Sequence, residues 1–276
     1  MSIYISFITT IKICEKYEWL ENSMMLYIKN IDHYCKKYDI SYEILICEQI
    51  NEKNIFLISD KCNFDEFNVK IYKLNQEYDN PFDFNLIESY GKNECLKNAS
   101  GIYTCMTSGD ILLSEMFFIY IKDFLNKEIF YRFATYEIPR YNFDVNTNIE
   151  DVINYCERCE NKRLANPGCF EENITAVKLG QKSGDIMLLD TISFKKIKGW
   201  PENICFVHMD FATCIVATNN YPFIIPENNV CSFTFSQEYR NSSNNKLVQL
   251  NNGEILQLED YQFMVALSYM DKKTSN

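Results

Sequence analysis

Apolar and polar positions alternate between two periods along the first half of this chain. Ile3 to Thr9, with Ile3, Ile5, Phe7 and Ile8 apolar, reads as a strand. From Glu15 to Lys37 the apolar residues Leu20, Met24, Tyr27, Ile28, Ile31, Tyr34 and Cys35 recur every three to four positions, which predicts a helix. Tyr42 to Cys47 is a short continuous apolar run, the pattern of a parallel strand buried on both faces. Asn68 to Leu74 alternates as a strand, and Asn85 to Asn98 is helical with Gly101 placed to stop it. Ile102 to Thr107 reads as a strand, Glu115 to Asn126 as a helix and Glu128 to Ile138 as a strand. Strand and helix thus alternate over residues 1–138, the signature of an α/β fold with a mostly parallel sheet between helices.

The second half is less regular. A helix is expected over Asn148 to Asn161, followed by the turn-rich Ala165-Asn166-Pro167-Gly168. Strands follow at Gly184 to Asp190, Tyr221 to Ile225 and Val230 to Phe235, with helices near Thr191 to Ile197 and His208 to Thr218. Gln237 to Asn252 is polar and rich in Asn and Ser, which predicts an exposed loop, and Glu254 to Met270 has the pattern of a closing helix. No internal repeat is present, and no linker divides the chain.

Composition narrows the class. At 276 residues and 47% hydrophobic content the chain is long enough for one sizeable core. No apolar run reaches the ~18–20 residues of a membrane-crossing helix. The N-terminus lacks the basic and small-residue features of a signal peptide, so a cytoplasmic location is expected. A net charge of −11 argues against a broad nucleic-acid surface. The 12 cysteines are scattered, many of them inside apolar runs, as small buried hydrophobes in a reducing compartment would be. Cys156 and Cys159 form a close pair without the second pair a zinc knuckle needs. The enrichment in Asn, Lys, Ile and Tyr fits an AT-rich genome.

The chemistry-bearing stretch is Thr104-Cys105-Met106-Thr107-Ser108-Gly109-Asp110, where an apolar strand ends in a small-residue turn carrying one carboxylate. Ser114 follows as a helix-start residue before Glu115. An acid at the C-terminal end of a buried strand is where α/β folds place ligands and metals, although the same residue also suits a turn or a helix entry. A second acid-bearing region runs from Gly199-Trp200-Pro201-Glu202 to His208-Met209-Asp210. No Gly-x-Gly-x-x-Gly or Walker loop is present, which excludes the usual dinucleotide and P-loop sites.

The order of these segments resembles the family 2-type glycosyltransferases of the GT-A fold. The likeness is carried by Lys92-Asn93 through Ser100-Gly101 to Ser108-Gly109-Asp110, then Ser183-Gly184-Asp185, Lys198-Gly199-Trp200-Pro201-Glu202 and Val207-His208-Met209-Asp210-Phe211. The resemblance implies a GT-A, Rossmann-like domain over residues 1–235 with a mixed, mostly parallel sheet. Residues 1–138 would form its nucleotide-sugar half and 139–235 its acceptor and catalytic half. A polar loop and helical tail would occupy 236–276.

It further implies inverting transfer from a nucleotide-diphosphate sugar, UDP by default, to a glycan or other hydroxyl acceptor, assisted by Mn²⁺ or Mg²⁺. Asp110 would be the metal ligand and Asp210 the base. Thr9, Glu48, Lys92 and Ser108 would contact the donor with Asp110, while Asp185, Trp200 and Glu202 would face the sugar or acceptor. Ser108 stands where many relatives carry a first acid, and Asn229 to Phe235 holds no histidine where many carry a metal-binding one. A non-catalytic sugar-nucleotide or glycan-binding protein and a nucleotidyltransferase are the competing readings.

Overall fold

A computed structural model describes residues 2–13, 20–50, 56–75, 88–139, 143–165, 186–200 and 209–235, together with the backbone of 247–249 and 255–257. Its centre is a seven-stranded sheet in the order β10-β6-β9-β4-β1-β2-β3. The strands are β1 (Ile5–Ile11), β2 (Tyr42–Ile50), β3 (Val69–Asn75), β4 (Tyr103–Met106), β6 (Phe130–Arg132), β9 (Met187–Asp190) and β10 (Phe223–Ile224). β3, β2, β1 and β4 pair parallel, as do β6 and β10, whereas β9 runs antiparallel to both β4 and β6. The expected mixed, mostly parallel sheet is therefore present.

Parallel neighbours need crossovers, and the helices supply them. α1 (Leu20–Lys37) links β1 to β2, and α3 (Glu88–Asn98) lies between β3 and β4 in the chain. A single helical turn, α2 (Ile58–Lys61), precedes β3. α4 (Glu115–Asp123), α5 (Ile149–Arg158), α6 (Thr191–Lys196) and α7 (Met209–Asn220) complete the described helices. On α1 the buried face is Met24, Tyr27, Ile28, Ile31, Tyr34 and Cys35, the stripe its periodicity predicts.

All of β1 is buried, and so is β2 up to its last residue, because helices cover both faces of the sheet. Ile5, Phe7, Ile44 and Ile46 point into one core with Tyr27, Phe117 and Phe118. Ile8, Leu45 and Cys47 point into the other with Cys95, Met106, Phe194, Trp200 and Cys214. The edge strand β3 is half exposed and carries Lys70 and Lys73, charges that discourage pairing with another chain.

Three expectations are revised. The single strand expected over Glu128 to Ile138 is two: it breaks at Phe133, and β7 (Ala134–Ile138) leaves the large sheet. β7 joins β5 (Ile111–Leu113), β8 (Arg163–Leu164) and β11 (Cys231–Phe235) in a four-stranded sheet ordered β5-β11-β7-β8. Residues 130–134 are all buried with no Gly or Pro among them, so the hydrophobic pattern does not mark the bend. Ile111–Leu113, which the sequence pattern assigns to no element, is a strand. In the C-terminal region, β12 (Leu247–Gln249) pairs antiparallel with β13 (Ile255–Gln257), one strand within the expected loop and one within the expected helix. The rest of that tail lies outside the described residues.

Gly101 shows how closely the elements approach below β4. Its N–H donates to Ser6 Oγ at 2.9 Å, and a Cβ there would stand 2.6 Å from Ser6 N and 2.8 Å from Ile5 C. Those are backbone atoms of a central strand and cannot swing aside. Gly101→Ala is expected to cost about 2 kcal/mol, read as a lower urea midpoint with an unchanged slope.

Candidate active site at the carboxyl-terminal rim

Because β1, β2, β3 and β4 are parallel, their C-terminal ends share one rim. The turn Thr107-Ser108-Gly109-Asp110 leaves β4 there and is tied down on both sides. Thr107 N and Oγ1 donate to Ile8 O at 2.8 and 3.1 Å, and Tyr27 OH meets Thr107 Oγ1 at 2.5 Å. Tyr27 is fully buried, which pushes its phenol well above the ordinary value, although the Thr107 hydrogen bond lowers it. Gly109 lies so close to α1 that a Cβ would overlap Met24 Cε, and the same position is 3.5 Å from Thr9 Oγ1. Beyond the turn, the Asn30 carboxamide grips Leu113, accepting from its N at 2.8 Å and donating to its O at 3.1 Å. Ser114 Oγ accepts from Phe117 N and Cys231 N, capping α4 and fixing β11 at once. Ser108 and Asp110 are half-buried at the surface of this anchored turn.

Thr9 sits at the same end of β1, fully buried, and its hydroxyl has no hydrogen-bond partner among the described residues. An unpaired buried hydroxyl is costly and uncommon. Here it lies beneath the Gly109 turn.

Other expected donor contacts have different surroundings. Glu48 is fully buried, and its carboxylate accepts from Ile58 N and, at 2.6 Å, from Ser59 Oγ. It anchors the N-terminus of α2 to the end of β2. Lys92 is only 1% exposed, paired with Glu88 at 2.5 Å and lying 3.9 Å over the Trp200 ring. Trp200 is itself 4% exposed, packed in the core beneath α3, so its ring offers no open face to a sugar. Asp185, Glu202 and His208 lie outside the described residues.

α7 precedes β10, which runs parallel to β6, and β6 runs parallel to β4 through the intervening antiparallel β9. Asp210 stands half-buried in the N-terminal turn of α7, the helix that leads into β10. Arg132, absent from the sequence expectations, ends β6 at the carboxyl-terminal rim and is 1% exposed, with Nη1 donating to Ile186 O at 3.0 Å. Cys214, one turn along α7 from Asp210, lies in the field of both: burial pushes its thiol up to about 12, Arg132 pulls it down and Asp210 raises it. The arginine was missed because a charge within a strand-like run normally signals an edge or an end.

Hard divalent cations take oxygen ligands and keep part of their water shell. Asp110, with the Ser108 hydroxyl beside it, is a donor set of that kind. Among the described residues no three His, Cys, Asp or Glu side chains gather into a ready-made metal cage. A cation held by these two residues would need phosphate oxygens and water to complete its shell. The Cys156 and Cys159 pair does not form such a cage either: Cys156 is buried in the core and Cys159 half-buried, both as free thiols.

No protein-family model and no curated protein sequence matches the chain. Solved structures do. S. aureus TarS 1-349 superposes with a TM-score of 0.54 at 13% identity, over 84% of this chain and 60% of that one. The same protein in complex with UDP-GlcNAc gives a TM-score of 0.54 at 13% identity, over 86% and 59%. This chain thus spans about three fifths of the length of those TarS chains. The likeness, at this identity, is one of architecture: the chain has the mixed α/β, GT-A-like fold.

Proposed function

We propose that the protein transfers a sugar, with inversion, from a nucleoside-diphosphate sugar to a hydroxyl acceptor. What supports this reading is the anchored Asp110 turn at the carboxyl-terminal rim, together with Asp210 in the first turn of α7. The acceptor oxygen attacks the anomeric carbon as its proton passes to the Asp210 carboxylate. The anomeric C–O bond breaks and its electron pair leaves on the diphosphate. Asp110 and Ser108 would hold a divalent cation, which would offset the charge of that leaving group. The unpaired Thr9 hydroxyl supplies a hydrogen bond to the nucleotide. Trp200 and Lys92 support the site from within rather than touching the donor.

TarS with UDP-GlcNAc makes uridine the nucleotide to test first. UDP with Mn²⁺, at about a hundred times its Kd, is expected to raise the melting temperature by roughly 5 °C. UDP without the cation gives a much smaller shift. Asp110→Asn removes the Mn²⁺-dependent increment and leaves the unliganded melting temperature near that of the wild type. The absence of a response to any nucleoside diphosphate overturns the reading.

A further inference from the structure

The segment between α6 and Asp210 begins with a turn that α3 grips in two ways. α6 ends in two successive left-handed residues, Lys198 at φ 62° and Gly199 at φ 61°, with Gly199 N donating to Phe194 O at 3.0 Å. Trp200 follows, and its backbone is held by one side chain. Asn93 Nδ2 donates to Trp200 O at 2.6 Å while Asn93 Oδ1 accepts from Trp200 N at 2.8 Å. A carboxamide carries its donor and its acceptor on two separate atoms set side by side, which is what this fork uses. One residue earlier, the Lys92 ammonium lies 3.9 Å over the centre of the Trp200 ring and 2.5 Å from Glu88 Oε1. An ammonium buried to 1% exposure needs such compensation, and a desolvated cation–π contact is stronger than an exposed one.

We propose that Lys92 and Asn93 are positioning residues. They clamp the Gly199–Trp200 turn onto α3, ten residues before Asp210 in the sequence. The inference rests on the proposed glycosyl transfer for its consequence, while the clamp itself has an independent readout. Asn93 fixes the backbone of the turn, and Lys92 fixes the ring that fills the core beneath it. Neither side chain touches the nucleotide. The clamp therefore acts on turnover and leaves donor affinity alone, the reverse of what a lysine on the diphosphate does.

The chain has two tryptophans, Trp19 and Trp200, so Trp19→Phe leaves Trp200 as the sole fluorescent reporter. In that background Asn93→Asp, which keeps the shape but loses the donor to Trp200 O, is expected to shift Trp200 emission to longer wavelength. Lys92→Met, which keeps most of the stem, shifts it in the same direction and serves if the Asn93 variant does not fold. Calorimetric titration with UDP and Mn²⁺ gives a Kd within about twofold of the parent for both variants, while turnover of UDP-GlcNAc falls by about tenfold or more at unchanged donor KM. Unchanged emission in Asn93→Asp overturns the clamp. A tenfold weaker UDP affinity in Lys92→Met with unshifted emission overturns it too, and makes Lys92 a donor contact. If the parent protein binds no UDP, it is the transfer reading that fails, and the emission shift still decides the clamp.

Discussion

Asp210→Asn is expected to lower the transfer rate by about 10²–10⁴-fold, the usual contribution of a positioned general base. Asparagine has nearly the shape of aspartate but cannot take the acceptor's proton. Asp210 stands in the first turn of α7, where a carboxylate is also favoured by the helix dipole, a contribution of about 0.3–1 kcal/mol. That structural share is small, so the melting temperature of Asp210→Asn falls by only a few degrees. The separation from Asp110 is what makes the result diagnostic. Asp110 belongs to the turn after β4, and Asp210 to a helix that returns to the sheet at β10, on the far side of β9 and β6. Kd for UDP with Mn²⁺, measured calorimetrically, should therefore stay within about threefold of wild type while kcat collapses. Equal loss of nucleotide binding and turnover would remove Asp210 from the role of base.

How much of this was legible in the sequence depended on whether one local period governed each segment. β1, α1 and β2 were legible because a strand buried on both faces is uniformly apolar and a covering helix shows one stripe. The bend at Phe133 was not, because Phe130, Tyr131, Phe133 and Ala134 are buried on either side of it and only the pairing partners change. β5 has three residues, too few to show a period, and it exists because β11 supplies a partner more than a hundred positions later. The tail misled in the opposite sense. An apolar spacing suited to a helix covers Ile255–Gln257, where cross-strand pairing with Leu247–Gln249 takes over.

The candidate site was legible as a set of segments and less so as a set of contacts. The small-residue turn carrying Asp110 stands out in the sequence, although the same pattern also suits a turn or a helix entry. What each neighbouring side chain does depends on distances that no linear pattern encodes. Glu48 ends the right strand but spends its carboxylate on the backbone N–H of Ile58. Lys92 occupies the expected motif position yet turns inward to Glu88 and Trp200. Arg132 gave no signal, because a guanidinium buried beside a carbonyl at a strand end looks, in sequence, like an ordinary surface charge.

The largest stability loss outside the apolar core is expected at Glu43, at the opposite end of the sheet from the candidate site. Its side chain is fully buried, yet it carries four hydrogen bonds. Oε1 accepts from Ser6 Oγ at 2.7 Å, Ser100 N at 2.8 Å and Ser100 Oγ at 2.7 Å, and Oε2 pairs with Lys70 Nζ at 2.8 Å. One carboxylate thus ties β1, β2, β3 and the loop before β4. Burial alone would raise its pKa, but the Lys70, Ser6 and Ser100 hydrogen bonds outweigh burial and hold it below the ordinary glutamate value. Lys70, bonded to Glu43, is raised. Glu43→Ala strips these donors of their acceptor and should cost about 3 kcal/mol at neutral pH. Glu43→Gln keeps one acceptor oxygen, loses the ion pair and should cost about half as much. A depressed folded pKa contributes stability that is complete above the unfolded value of about 4.3 and is lost as the pH falls through the folded one. Lys70 contributes from the other side: its raised pKa is stabilising below about 10.4 and is lost as the pH rises through the folded value. Urea denaturation across pH should therefore show the gap between wild type and Glu43→Gln at full height from about pH 5 to 10, narrowing beyond both ends. A gap that stays constant into acid would mean that shape, and not the charge of Glu43, holds the four segments together.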